Sequence, residues 1–385
     1  MKWDVKAHPL QRVGLLGRST DNELIAEYKT RGMPRAGIEM LNPAQPSLNR
    51  TGFANVLNQD VQSPRQATMP DTVPPIFGAR PGHPWDEVRG IFYARRFTTG
   101  ETFYDPHAFT PPWTEFRACV SDVAFHEQVV ARLQAVQQLP PAEMEEQPAL
   151  RRLIFLRDLW AAFDGVRNAR VTWLDAPDEA SAQAVRRRDE LLRRVAGIIK
   201  RLELTEDEVC ALPDALRLIG EKKLYPNAFD LKSPLAPFFP ADLLDEASPW
   251  VTYSRYEEFG TGGSIHMQFV DFRSLFTLHL LSPDGRQGGI QVLREFTESK
   301  GKQSVPSGTT LALLRRALVP ARNGKLLVSP VVESLQLIVV ALPQSHFFKF
   351  TLDRAEFLAG RPGLMPITRD HPAGVTGYEF LFLGS

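Results

Sequence analysis

Apolar and polar residues alternate with a period of two over several short stretches of residues 247–352, and turn residues separate them. That pattern predicts a run of β-strands, because successive side chains of an extended chain point to opposite faces. In Ser264-Ile265-His266-Met267-Gln268-Phe269 the apolar residues share one face and Ser264, His266 and Gln268 the other. Residues 274–281 run into Ser282-Pro283-Asp284-Gly285, and residues 288–296 are expected to return beside them as a hairpin. Asp-Gly supplies the positive φ angles that a tight turn needs. Asn323-Gly324 repeats the device between 311–319 and 326–328, the latter leading into 331–341. A last strand is predicted at 346–352, with Phe347, Phe348 and Phe350 filling a core edge.

Upstream the period changes to that of a helix. Across residues 182–202, Val185, Leu192, Val195, Ile199 and Leu202 make one apolar stripe, with Arg186, Arg187, Arg193, Arg194 and Lys200 largely off it. Such a basic face suits phosphate or acidic lipid, or is simply solvated and paired with nearby Asp and Glu, the blander reading. Leu150, Leu153, Ile154, Leu159, Trp160 and Phe163 mark a second amphipathic helix, and Thr205-Glu206-Asp207-Glu208 reads as a capping box opening a short helix that ends near Pro213. Residues 84–112, aromatic and broken by proline, read as loop with one strand or short helix around Ile91-Phe92-Tyr93.

Helices gathered first and strands later predict an α+β fold: an N-terminal extended arm, a helical middle region and a C-terminal antiparallel β-sandwich-like domain. The boundaries are 1–83 for the extended or disordered arm, 84–225 for the helical region and 226–385 for the β domain, with a Pro-rich connection at 226–240. The arm is rich in Asn, Gln, Pro, Arg and Thr and buries too little apolar surface to fold alone. It is either disordered or wraps its own body or a neighbour.

The 385 residues carry 45 basic and 45 acidic side chains, so no net field draws the chain to nucleic acid. No run reaches the roughly 18 apolar residues of a membrane span, and residues 1–19 lack a secretory apolar core. Cys119 and Cys210 belong to no ligand motif and read as two buried thiols, with a disulfide between them as the alternative.

Candidate chemistry is sparse. The chain has no Gly-x-x-x-x-Gly-Lys loop, no Gly-x-Gly-x-x-Gly, no His-Glu-x-x-His, no Gly-x-Ser-x-Gly and no Cys-x-x-Cys-His. Gly260-Thr261-Gly262-Gly263-Ser264 precedes a strand, which favours a flexible loop over an anion nest. Asp105, His107, Asp122 and His126 would form an acid/base or metal cluster only if the fold gathered them, and His126 beside Glu127 suits a partly exposed structural role. Within the strand region His266, Asp271, Arg273 and His279 are the catalytic candidates, as a general base with a cation to orient an anionic group. Trp250, Tyr253 and Tyr256 are the ligand-binding candidates, able to stack on a sugar face or to serve as core. Arg315-Arg316 and Glu333 suggest a cross-strand charge pair.

Several segments together resemble an uncharacterised family of bacterial proteins that are usually exported. They are Arg95-Arg96-Phe97-Thr98-Thr99-Gly100-Glu101-Thr102, residues 239–245 with Pro249-Trp250-Val251, residues 272–276, Pro306-Ser307-Gly308-Thr309, Leu314-Arg315-Arg316, Glu333-Ser334-Leu335-Gln336 and residues 350–360. The resemblance implies a periplasmic or exported protein. It brings no activity, catalytic residue or cofactor, and the missing export signal keeps a cytoplasmic location as the alternative.

These observations favour a non-catalytic accessory or structural subunit that makes protein contacts through its β domain and N-terminal arm, with no cofactor, metal or nucleic acid. The alternatives are a carbohydrate or small-ligand binding module, and a hydrolase with a site in the β domain.

Overall fold

The computed structural model describes residues 75–78, 81–96, 102–104, 115–169, 178–245, 247–253, 274–298, 305–324, 326–341 and 345–367. The arm through residue 74, the expected strand at 264–269 and the glycine-rich 260–264 lie outside them.

Helix α1 (Pro84–Tyr93) has proline in its first turn and His83 as N-cap, whose imidazole accepts from the Trp85 amide. Ile91, Phe92 and Tyr93 are its buried last turn. The carboxylate of Asp86 turns back to accept from the amides of Ile76, Phe77 and Gly78. Phe77 is thereby held edge-on to Trp85, which stacks on Phe155 at a centroid distance of 4.6 Å. Strands β1 (Ala94–Arg96) and β2 (Thr102–Tyr104) form a small antiparallel pair.

Helices α2 (Glu115–Ser121), α3 (Val123–Gln137), α4 (Ala149–Asn168) and α5 (Asp178–Leu202) follow. Along α5, Ala184, Leu191, Val195, Ile198 and Leu202 are buried at helical spacing, close to the stripe that the sequence predicts. The capping box is present at the start of α6 (Glu206–Cys210): Thr205 accepts from the Glu208 amide and Glu208 reaches back to the Thr205 amide. Asp214 caps α7 (Ala215–Lys222).

The later strands form one antiparallel sheet of six, in the order β3 (Val251–Tyr253), β4 (Ser274–Leu281), β5 (Thr310–Pro320), β6 (Leu326–Val339), β7 (His346–Leu352) and β8 (Leu364–Pro366). Sequence neighbours pair throughout, as expected of a meander. The fold is thus α+β, and among the described residues no second sheet stacks on this one to make a sandwich. The Asn323-Gly324 turn joins β5 to β6, with Gly324 at φ +77°. Strand β7 has the bounds expected of the last strand, although β8 follows it and Phe347 points to solvent while Phe350 is buried, as alternation requires.

The hairpin expected at Asp284-Gly285 is corrected. Gly285 opens helix α8 (Gly285–Glu298), and β4 pairs with β5 instead of with residues 288–296. Gly289 serves helix packing: a Cβ there would lie 2.9 Å from Val251 Cγ2, so its absence lets α8 lie against β3 and β4. Arg286 ties the helix down by donating to the carbonyls of Ser248 and Trp250.

The helical and strand regions share one hydrophobic core. It runs from Trp85, Val129, Leu156 and Val195 on the helices to Ala312, Leu314, Leu335, Leu337 and Phe350 on the sheet. Val251, Leu278, Leu280 and Leu313 are buried on the other face of the sheet, where α8 packs. Helix α9 (Arg354–Leu358), capped by Asp353, links β7 to β8 and touches α4.

Candidate functional site

A cluster of buried charged side chains lies where α4 meets the sheet. Arg157 and Asp158 are neighbours on α4 and so diverge by about 100° around the helix, each reaching different partners. Asp158 accepts from Arg89 Nε at 2.7 Å and from Arg354 Nη2 at 3.0 Å. Arg89 lies 4.5 Å above the ring of Tyr93, whose hydroxyl donates to the Asp158 carbonyl at 3.2 Å. Arg157 pairs with Glu333 through Nε and donates from Nη2 to Ser274 Oγ at 2.9 Å. Arg315 Nε bonds Glu333 Oε2 at 2.8 Å and Ser274 Oγ at 2.9 Å.

Local backbone geometry places Glu333 there. Arg315 pairs with Ser334 and Arg316 with Val332, so Glu333 is the extra residue of a β-bulge that re-aims its side chain. All of these charged groups are buried. Burial pushes the Asp158 carboxyl up, but Arg354 and Arg89 outweigh it and hold the group below its usual range. Burial likewise lowers Arg157, while Glu333 draws it above its ordinary value. Burial, and then the Asp158 charge, raises the Tyr93 phenol. Asp158 is thus held ionised between two guanidinium groups, and Glu333 lies between the guanidinium groups of Arg157 and Arg315. Such an arrangement orients helices on a sheet; it offers no poised general base.

The catalytic candidates are not assembled by the described residues. His279 sits on β4, 1% exposed, with Nδ1 bonded to Thr252 Oγ1 at 3.0 Å and Nε2 to Thr277 Oγ1 at 2.9 Å. Burial, helped by the charge of Arg316, pulls its pKa down to about 3. His266, Asp271 and Arg273 lie outside the described residues. Of the ligand-binding candidates, Trp250 is buried in the core just before β3, Tyr253 ends β3, and Tyr256 lies outside the described residues.

Other sequence readings find definite places. The charge pair of the β5–β6 hairpin is Arg315 with Glu333, and Arg316 does not join it. Asp122 caps α3 by accepting from the Phe125 amide, while Asp105 and His107 lie outside the described residues. His126 is buried, where partial exposure was expected; its Nδ1 lies 3.0 Å from the Cys119 carbonyl and its Nε2 3.5 Å from Glu190. Cys119 is buried and Cys210 exposed, and both are free thiols, so they form no disulfide. Along α5, Arg188 faces Asp189, Arg194 faces Glu190 and Arg201 faces Glu145, while Arg187 donates to the Val120 carbonyl.

Sequence reasoning missed Arg89, Arg157, Asp158 and Arg354. The available signal was Arg157-Asp158 itself, a charged pair set within the apolar run Leu153-Ile154-Phe155-Leu156 and Leu159-Trp160. Charges at core positions of a helix must find partners. Among the described residues no group of three or more His, Cys, Asp and Glu is arranged to hold a metal ion, and no helix is long and apolar enough to cross a membrane. No family model, curated protein or solved structure matches the chain.

Proposed function

We propose that the chain is a non-catalytic accessory or structural subunit that binds another protein, using the connector that enters its β region together with the N-terminal arm. The carrying observation is the display of Leu231 and Leu235, exposed at 73% and 84%, on a connector that is otherwise pinned. Phe229 packs 5.0 Å from the His346 ring, and Phe238 and Phe348 meet edge-on at 5.3 Å. Tyr225 and Phe239 do the same against Phe350. The Phe239 amide donates to the Pro226 carbonyl and the Ala241 amide to Asn227 Oδ1.

A loop held at both ends by ring contacts leaves its leucines in water. Burying each against a partner gains about 1.5–3 kcal/mol, without the ordering cost that a floppy loop would incur. The polar composition of residues 1–74 supports the same reading, since such a segment gains its order by packing on something else.

The test is purification from the native source of the wild type and of Leu231→Ser/Leu235→Ser. A protein that co-purifies in fixed ratio with the wild type and is lost from the double variant, at unchanged melting temperature, is the expected result. A monomer by light scattering, whose companions and abundance are untouched by the double substitution and by removal of residues 1–74, would refute the proposal.

A further inference from the structure

Arg316 is the buried cation that the ionic network leaves over. It lies on β5, paired with Leu275 of β4 and, across the bulge, with Val332 of β6. It is 3% exposed, its Nε has no hydrogen-bond partner, and among the described residues no carboxylate forms an ion pair with it. The contrast with adjacent Arg315, which bonds Glu333 at 2.8 Å, is sharp. Asp214 acts on Arg316 only through its field, and its Oδ1 already accepts from the Leu216 and Arg217 amides. An isolated buried guanidinium is costly, and charge-assisted hydrogen bonds to an anion offset that cost.

A second polar group stands on the same face. Regular β4–β5 pairing puts Thr277 and His279 on the face of Arg316, with Thr277 diagonal to it and within reach of a long side chain. The imidazole of His279 is neutral, so one of its nitrogens carries a proton and the other is bare. Thr277 bonds one nitrogen and Thr252 the other, so the hydroxyl that accepts the ring N–H still has its own proton to donate.

We propose that His279 carries its ring proton on Nε2, which leaves the Thr277 hydroxyl free to donate, and that Arg316 with Thr277 binds one small free oxyanion of the size of inorganic phosphate. The near-complete burial of the guanidinium favours a small free anion over a phosphate carried on a larger molecule. This assignment is independent of the protein-binding role, since the connector leucines take no part in it.

Equilibrium dialysis with inorganic phosphate, at ionic strength fixed with chloride, is expected to give one phosphate per wild-type chain and a saturable rise in melting temperature. Arg316→Met should lose both responses and, having shed an unpaired buried charge, melt no lower than the wild type in chloride. Thr277→Val should weaken phosphate binding about fivefold, as for one lost hydrogen bond. Wild type that binds no phosphate saturably would overturn the proposal, as would Arg316→Met retaining the full response, the mark of an adventitious ion only. Glycerol phosphate binding as tightly as phosphate would overturn the assignment to a free anion. If Arg316→Met does not fold, the wild-type stoichiometry and the Thr277→Val affinity still decide.

Discussion

His279 shows how much a single buried side chain governs. Its ring is neutral in the folded protein, with burial and then Arg316 holding its pKa at about 3 against 6.5 in the unfolded chain. Between those values the unfolded state binds the extra proton, so the contribution to stability is complete above pH 6.5 and declines as pH falls toward 3. The slope is about 1.4 kcal/mol per pH unit, which amounts to about 2 kcal/mol between pH 6.5 and pH 5. In chloride buffers, His279→Gln should therefore lose about 2 kcal/mol less stability than the wild type between pH 7 and pH 5, read from urea denaturation. Parallel pH profiles for the two proteins would show that the ring is not held neutral. Glu333 carries the opposite charge logic: Glu333→Gln takes away the anion that Arg157 and Arg315 both bond, and should cost about 3–5 kcal/mol in the same measurement. A loss below about 1 kcal/mol would place the two guanidinium groups in solvent reach. The Arg315–Glu333 pair was legible in the sequence as opposite charges on the two strands that the Asn323-Gly324 turn joins, whereas the two register shifts that lie between turn and pair were not. The Arg89–Asp158–Arg354 triad was not, since its members stand 69 and 196 positions apart from Asp158 and no local rule joins them.

Elements whose rule is local were read well. The period of α5, the capping box of α6 and the β5–β6 turn each follow from residues within a few positions of one another. Helix α8 was misread because Asp284-Gly285 is a sound hairpin signal in isolation. Gly289 acquires its meaning only from β3 and β4, segments that approach it from outside the helix. Close approach also governs α4, where a Cβ on Gly165 would fall 2.1 Å from Phe116 Cε2, inside the ring's own volume. Gly165→Ala should therefore destabilise by about 1–3 kcal/mol, against the gain of up to about 1 kcal/mol that alanine brings to an exposed helix. Gly165→Ala combined with Phe116→Leu should recover part of the loss if the clash is the cause. Thr205→Ala tests the other kind of element determinant: removal of its cap should cost about 1 kcal/mol and no more, since Glu208 keeps its bond to the Thr205 amide. A much larger loss would mean that the cap also fixes the packing of α6 on β6.

At the scale of the whole molecule, the sequence divides at about residue 226 and the hydrophobic core does not. Leu156 and Val195 from the helices are continuous with Leu314 and Leu335 from the sheet, and Leu204 bridges to Ala321 beyond β5, with the Arg322 amide donating to the Leu204 carbonyl. Composition could not reveal this, because an amphipathic helix region and a strand region look alike whether they bury their apolar faces separately or against each other. The ionic groups straddle the same junction, with Arg157 of α4 holding Glu333 of β6 and Asp158 holding Arg354 of α9. A shared core and shared charges make one cooperative unit, so opening the sheet exposes the helices at the same free energy. Leu314→Ala, which removes a fully buried side chain of β5, should cost about 2–5 kcal/mol. Native-state hydrogen exchange read by mass spectrometry should show that loss in full in peptides from α4 as well as in those from β5 and β6. Protection that fell only in the strands, with α4 unchanged, would mean that the helical region unfolds on its own and that the common core does not couple the two.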